Sequence, residues 1–260
     1  MFKQLAVIAF LLLSIVPLSA QETEIPVLVP EVLNVYPHDS EAFTQGLLWF
    51  EDVFYESTGL RERSSLRKVD IESGEPLELV PVADEFFAEG LEKIGDKLIQ
   101  LTWQSGVAFV YDFETFEQID TIEYDGEGWG LCYDGRYLFM SDSTSYLSVR
   151  DPETFELIFR GAVTGGGQLV PPQLLNELEC VGDHIYANAW NTDFIFKLDK
   201  FTGDVVALID ASSLLSEEDR AGLSSTSAVL NGIAYNPETE TFFITGKLWP
   251  KMFEVVFVPR

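Results

Sequence analysis

The chain has 260 residues, of which 43 are Asp or Glu and 16 are Lys or Arg, for a formal net charge of −27. A field of that sign, spread along the whole chain rather than gathered in a tail, argues against nucleic acid and anionic membrane surfaces as partners. Hydrophobic residues make up 47% of the sequence, enough for a large core, and the length suits one all-β domain.

The first predicted element is a processing signal. Met1-Phe2-Lys3 leads into an apolar run from Leu5 to Val16, which ends at Pro17-Leu18-Ser19-Ala20. One basic residue, a short apolar core and a small-residue end mark a secretory signal peptide over residues 1–20, cleaved after Ala20. The run is too short to span a bilayer, and no cysteine stands near the cleavage site to carry a lipid. The expectation is an exported protein, periplasmic or extracellular, without a membrane partner and acting as a monomer. Residues 21–30 read as an extended, mobile segment, and residues 31–260 as the single folded domain.

From Gln45 onward the sequence repeats. Five segments align as Gln45-Gly46-Leu47, Glu89-Gly90-Leu91, Trp129-Gly130-Leu131, Asn176-Glu177-Leu178 and Asn231-Gly232-Ile233. Their spacing of about 40 to 55 residues is that of β-propeller blades. A second strand closes roughly ten residues later in each unit, at Thr58, Trp103, Ser143, Trp190 and Lys247. A third strand ends in Asp followed by a Ser or Thr, as in Asp112 with Thr115 and Asp199 with Thr202. That is turn chemistry, because an Asp carboxylate accepts from backbone two residues on. A fourth strand follows, so the fold expected is a five-bladed β-propeller of four-stranded blades. The fifth unit ends after a strand at 252–258, and the strand at 30–36 is expected to supply its missing outer edge and close the ring.

Between the fourth and fifth units, residues 213–223 read as a short helix, with Glu217, Glu218 and Asp219 near its start. Gly165-Gly166-Gly167 lacks the strand–loop–helix context and the following Lys of a phosphate loop, and reads as a flexible loop. Cys132 and Cys180 open the first strands of the third and fourth units, one position out of register with each other. They are expected to be two buried thiols, although export permits a disulfide. The only histidines are His38 and His184, so no zinc cluster is present.

The repeat keeps its scaffold and varies one position, which presents different chemistry at one geometric place. In a propeller the innermost strands line the central channel, so two rings of side chains should meet at its mouth. The first ring holds Gln45, Glu89, Trp129, Asn176 and Asn231, and the second Thr58, Trp103, Ser143, Trp190 and Lys247. One carboxylate, one lysine, three amides and three tryptophans describe an apolar-walled pocket with few polar groups. A strand tryptophan is ordinarily core, an asparagine can cap a turn, and Glu89 could form a structural ion pair with Lys247. The case for a site rests on their convergence.

Several longer motifs carry a family resemblance. They include Ala42-Phe43-Thr44-Gln45-Gly46-Leu47, Ala88-Glu89-Gly90-Leu91, Gly128-Trp129-Gly130-Leu131, Leu175-Asn176-Glu177-Leu178-Glu179 and Thr245-Gly246-Lys247-Leu248-Trp249-Pro250. Together they resemble the glutamine cyclotransferase family, the plant and bacterial type of glutaminyl-peptide cyclotransferase, from about Tyr36 to the C-terminus. The resemblance implies a five-bladed propeller that turns the N-terminal Gln of peptides or proteins into pyroglutamate and releases ammonia. It also implies a catalytic Glu at Glu89 and a pocket at Phe43, Gln45, Trp103, Trp129, Asn176, Trp190 and Lys247. The loop 161–172 is the part least like the family and could alter access.

The residues themselves fit that chemistry. An α-amine must attack the γ-amide carbon of its own residue, which requires proton removal, oxyanion stabilisation and protonation of the leaving group. Glu89, the one acid of the two rings, can perform both proton steps in turn. Gln45, Asn176 or Lys247 could hold the oxyanion, each good donor contributing about 3 kcal/mol. The tryptophans, with Phe43 and Asn231, would fold the substrate side chain back on its amine. No metal and no cofactor is needed. Two other readings stay open: a non-catalytic propeller that binds a peptide or sugar, and a hydrolase or lactonase with an axial calcium on Glu89, Asn176 and Asn231. Lys247 beside a cation argues against the second.

Overall fold

The computed structural model describes residues 24–260, so the signal segment at 1–20 lies outside the described residues. In chain order the strands are β1 (Val27–Pro37), β2 (Thr44–Phe50), β3 (Val53–Thr58), β4 (Ser65–Asp70), β5 (Pro76–Pro81), β6 (Ala88–Ile94), β7 (Lys97–Thr102), β8 (Val107–Asp112) and β9 (Gln118–Glu123). They continue as β10 (Leu131–Tyr133), β11 (Leu138–Met140), β12 (Tyr146–Arg150), β13 (Leu157–Ala162), β14 (Thr164–Gly165), β15 (Gln168–Leu169), β16 (Leu175–Val181), β17 (His184–Ala189), β18 (Phe194–Asp199) and β19 (Val205–Asp210). The helix α1 (Glu217–Ala221) precedes β20 (Leu230–Asn236), β21 (Thr241–Gly246) and β22 (Lys251–Pro259).

Three sheets are four-stranded meanders, β2–β5, β6–β9 and β10–β13. A fourth sheet has eight strands in the order β16-β17-β18-β19-β1-β22-β21-β20. Its halves are joined by β1, which runs antiparallel to β22 from Leu28 to Pro37 and parallel to β19 only at Val27 and Leu28. The N-terminal strand therefore covers the outer edge of the last meander, as the truncated fifth unit requires. It begins at Val27, so residues 27–30 are paired backbone rather than part of a mobile segment.

Burial grades across each meander. The first strands β2 and β6 are buried along most of their length, whereas the fourth strands β5, β9 and β13 are largely exposed. The first strands neighbour one another in a closed cycle, β2 to β6 to β10 to β16 to β20 and back to β2. The core divides in the same way into clusters between successive meanders. Leu48, Tyr55 and Leu66 meet Leu91, Leu98 and Phe109, for example, while Leu47 and Phe54 meet Ala234, Phe243 and Met252.

The turn chemistry works as the sequence predicts. Asp112 Oδ1 accepts from the backbone N–H and hydroxyl of Thr115, and Asp151 does the same for Thr154. Two expectations are corrected. The helix is shorter than 213–223, because Ser216 and Asp219 form a reciprocal capping box that starts it at Glu217, while Leu214 and Leu215 turn into the core. Cys132 and Cys180 are not free thiols. They form a disulfide between β10 and β16 with Cα atoms 5.4 Å apart. Their one-position offset is no obstacle, because adjacent first strands belong to different sheets and share no hydrogen-bonded register.

Two buried polar groups tie the centre together. Glu177 stands where four repeats have glycine, and its carboxylate accepts from the N–H groups of Ile233 in β20 and Leu47 in β2. His38, just beyond β1, places Nδ1 2.7 Å from the Trp249 carbonyl and Nε2 3.1 Å from Glu56 Oε1, which also accepts from Thr44. One imidazole thus locks the end of β1 to the approach of β22 and to β3.

Candidate active site

Backbone irregularity aims the first ring. In four of the five inner strands the pairing with the neighbouring strand slips, between Thr44 and Gly46, between Ala88 and Leu91, between Leu175 and Leu178 and between Leu230 and Ile233. Gln45, Glu89, Asn176 and Asn231 sit in those slips. A bulge frees a residue from the ladder and re-aims its side chain, which is how four strands can direct polar groups toward one place.

Gln45, Glu89, Trp129 and Asn176 from the first ring, with Phe43, Trp103, Trp190 and Lys247, line one cavity of about 240 Å³. Phe87 completes the lining. The sequence pattern does not mark it, and the reason lies in the repeat. Thr58 pairs with Thr44 as Thr102 pairs with Ala88, so the true counterpart of Trp103 is Gly59 and not Thr58. A side chain at Gly59 would fall 2.4 Å from the Phe87 ring; the glycine leaves that place to the phenylalanine. Thr58 turns away to Ser65, and Ser143 does not line the cavity. Asn231 also departs from its expected role. It is fully buried behind the wall, where its amide donates to the Thr44 carbonyl and to Gln45 Oε1, so it orients Gln45 rather than touching the cavity.

The second-ring positions are pinned by one recurring bond. The N–H groups of Trp103, Trp190 and Lys247 donate to the carbonyls of Phe87, Leu174 and Val229, each two residues before a first-ring residue. The aromatic walls then meet edge to face. Phe43 packs on Phe87 and Phe87 on Trp103, while Trp129 packs on Trp190. Trp190 keeps 42% of its surface exposed and forms the rim.

Electrostatics separate Glu89 from an ordinary carboxylate. Burial lifts its pKa well above the usual range; Lys247 opposes the shift and Glu127 adds to it. Glu89 Oε1 accepts from Gln45 Nε2 at 3.3 Å, while Oε2 has no protein partner, and neither does the buried Oδ1 of Asn176. Lys247 acts on Glu89 through space. Its ammonium lies 5.1 Å from the centre of the Phe43 ring, and burial lowers its pKa to about 8 against the pull of Glu89. Among the described residues no three His, Cys, Asp or Glu side chains group as metal ligands. Of the trio Glu89, Asn176 and Asn231, only the first two line the cavity.

Comparison with known proteins points to one family. A sequence profile of the glutamine cyclotransferase family matches residues 5–257. A protein of Arabidopsis thaliana described as glutaminyl-peptide cyclotransferase is 38% identical over 230 residues, which span 86% of this chain and 70% of the relative. The crystal structure of Myxococcus xanthus glutaminyl cyclase matches with a TM-score of 0.85 and 40% identity, over 91% of this chain and 100% of that one.

Proposed function

Because the chain belongs to the glutamine cyclotransferase family, we propose that the cavity cyclises the N-terminal Gln of peptides and proteins with Glu89 as the proton carrier. The glutaminyl-peptide cyclotransferase activity follows from the family, the relative and the structural neighbour together. The observation that carries the role of Glu89 is its place as the one carboxylate of the cavity lining, with an unpartnered oxygen.

The substrate arrives as an amine with a pKa near 8, and a carboxyl group with raised proton affinity is matched to exchange a proton with it. Glu89 takes a proton as the amine nitrogen bonds to the γ-amide carbon. It returns a proton to the amide nitrogen as that C–N bond breaks, so ammonia leaves and Glu89 is regenerated. Gln45 is committed to Glu89 Oε1, which makes it a positioning group. The oxyanion falls to Lys247 and Asn176. The aromatic walls hold the side chain folded back on its amine and exclude water. On this account kcat/KM rises with pH along a limb set by Glu89 well above ordinary carboxylates.

The architecture behind the site is read as a five-bladed propeller, with the eight-stranded sheet counted as two blades joined through β1. The closed cycle of first strands and the core clusters between successive meanders support that count. Residues from β1 onward form the one domain, acting as a monomer. Residues 1–20 are read as an export signal, and the Cys132–Cys180 disulfide supports an oxidising compartment. The direct test is ammonia release with matching pyroglutamate from Gln-initiated peptides, run in the presence of EDTA. Product formation is expected under chelation. A protein that binds the peptides without releasing ammonia would instead be a binding propeller.

A further inference from the structure

Two aromatic walls form the cavity, and one residue outside its lining touches both. Glu127 lies in the loop between β9 and β10. Its Oε2 accepts from Trp129 Nε1 at 3.1 Å and from Trp103 Nε1 at 3.3 Å, and its Oε1 accepts from Gln104 Nε2 at 2.8 Å. Trp103 belongs to the wall that runs through Phe87 to Phe43, and Trp129 to the wall that runs to Trp190. The loop is itself fixed. Gly126 has φ +91°, a left-handed conformation that favours glycine. Gly128 N–H then donates to the Trp103 carbonyl at 3.1 Å, so the backbone of the loop grips the same tryptophan as the carboxylate.

We propose that Glu127 is a positioning residue of the cyclisation reaction: its carboxylate sets the gap between the two aromatic walls and stands one indole away from the cavity that Glu89 lines. Both halves follow from chemistry already described. An indole N–H held by a carboxylate makes a charge-assisted bond, stronger than a neutral one. Two such bonds to one oxygen fix the separation of the rings, and hence the space in which a Gln side chain can fold on its amine. The charge acts by like repulsion. A second anion near a buried carboxyl raises its proton affinity, and Glu127 adds to the shift of Glu89 in this sense. The titratable groups that interact electrostatically with Glu89 are Lys247, Glu127 and Tyr124. Of these, Glu127 alone shares a hydrogen-bond acceptor between two walls of the cavity.

The inference rests on the cyclisation reading, and wild-type turnover is the control that separates the two: if wild type releases no ammonia, the reading fails before Glu127 is tested. With an active wild type, Glu127→Gln keeps an acceptor oxygen for the indoles and removes the charge. The acid limb of kcat/KM should move to lower pH, with kcat/KM at its plateau reduced about tenfold or more through loosened positioning. The substrate amine is common to both enzymes, so a displaced limb reports on Glu89. A folded Glu127→Gln protein with wild-type kcat/KM and an unmoved limb overturns the proposal, as does lost activity with an unmoved limb, which would make Glu127 structural only. Glu127→Asp provides the complementary arm if Glu127→Gln does not fold. It keeps the charge and shortens the reach, so kcat should fall while the limb stays in place. Wild-type kcat in Glu127→Asp would also overturn the proposal.

Discussion

The ammonium of Lys247 is held over Phe43 with its pKa lowered to about 8 by burial, so it can lose its charge in mildly alkaline solution. If that charge stabilises the oxyanion, kcat falls as pH rises past about 8. Lys247→Met should remove this alkaline limb and lower kcat by about a hundredfold to a thousandfold, the usual cost of one oxyanion donor. Retention of the alkaline limb in Lys247→Met would assign it to another group. Asn231 poses a different question, since it stands behind Gln45 rather than in the cavity. Asn231→Ala should affect turnover through a displaced Gln45, and its effect should therefore be non-additive with Gln45→Ala in a double-mutant cycle. Full additivity would separate the two residues.

At the scale of elements, His38 acts as a pin between β1, β3 and the approach to β22. Both ring nitrogens face acceptors, which favours the doubly protonated ring. Burial alone would lower its pKa, but the contact with Glu56 overrides it and the net shift is upward; Glu56 is likewise buried yet held down by His38. The signs then set a window. A raised His38 contributes stability that is fully present below its unfolded value of 6.5 and is lost as pH rises through the folded value. A lowered Glu56 contributes stability that is present above its unfolded value of 4.5 and is lost as pH falls through the folded one. The pair should support the fold most between about pH 4.5 and 6.5. In His38→Gln the melting temperature should drop most in that window. A uniform drop across pH would mean that the loss is one of packing alone.

The repeat made most of these elements legible, because strand spacing and Asp-turn chemistry recur in the chain. It failed where function depends on contacts between units. Gly59, the true counterpart of Trp103, carries no side-chain signal, so the neighbouring Thr58 stands out in its place, and Phe87 and Glu127 lie outside the compared positions altogether. The disulfide joins strands of different sheets, which no local pattern encodes. That bond closes a loop of 48 residues in sequence, and Cys132→Ala with Cys180→Ala should cost about 2–4 kcal/mol in denaturant unfolding. No measurable loss would mean the reduced chain is already constrained.

For the molecule as a whole, closure depends on a segment far from the site. Strand β1 pairs with β22 along most of its length and touches β19 at its start, so it both covers an edge and joins two halves of the largest sheet. Removing residues through Tyr36 should expose strand edges and produce aggregation; a soluble truncation of equal stability would contradict that role. The closed arrangement matters because it brings variable positions from separate units to one cavity, in whose lining Glu89 is the one carboxylate. The measurement that bears most directly on this is ammonia release from a Gln-initiated peptide by wild type and Glu89→Gln, compared at matched folding by circular dichroism. The account predicts turnover lower by about two to four orders of magnitude in the variant. Near-wild-type turnover in a folded Glu89→Gln protein would contradict it.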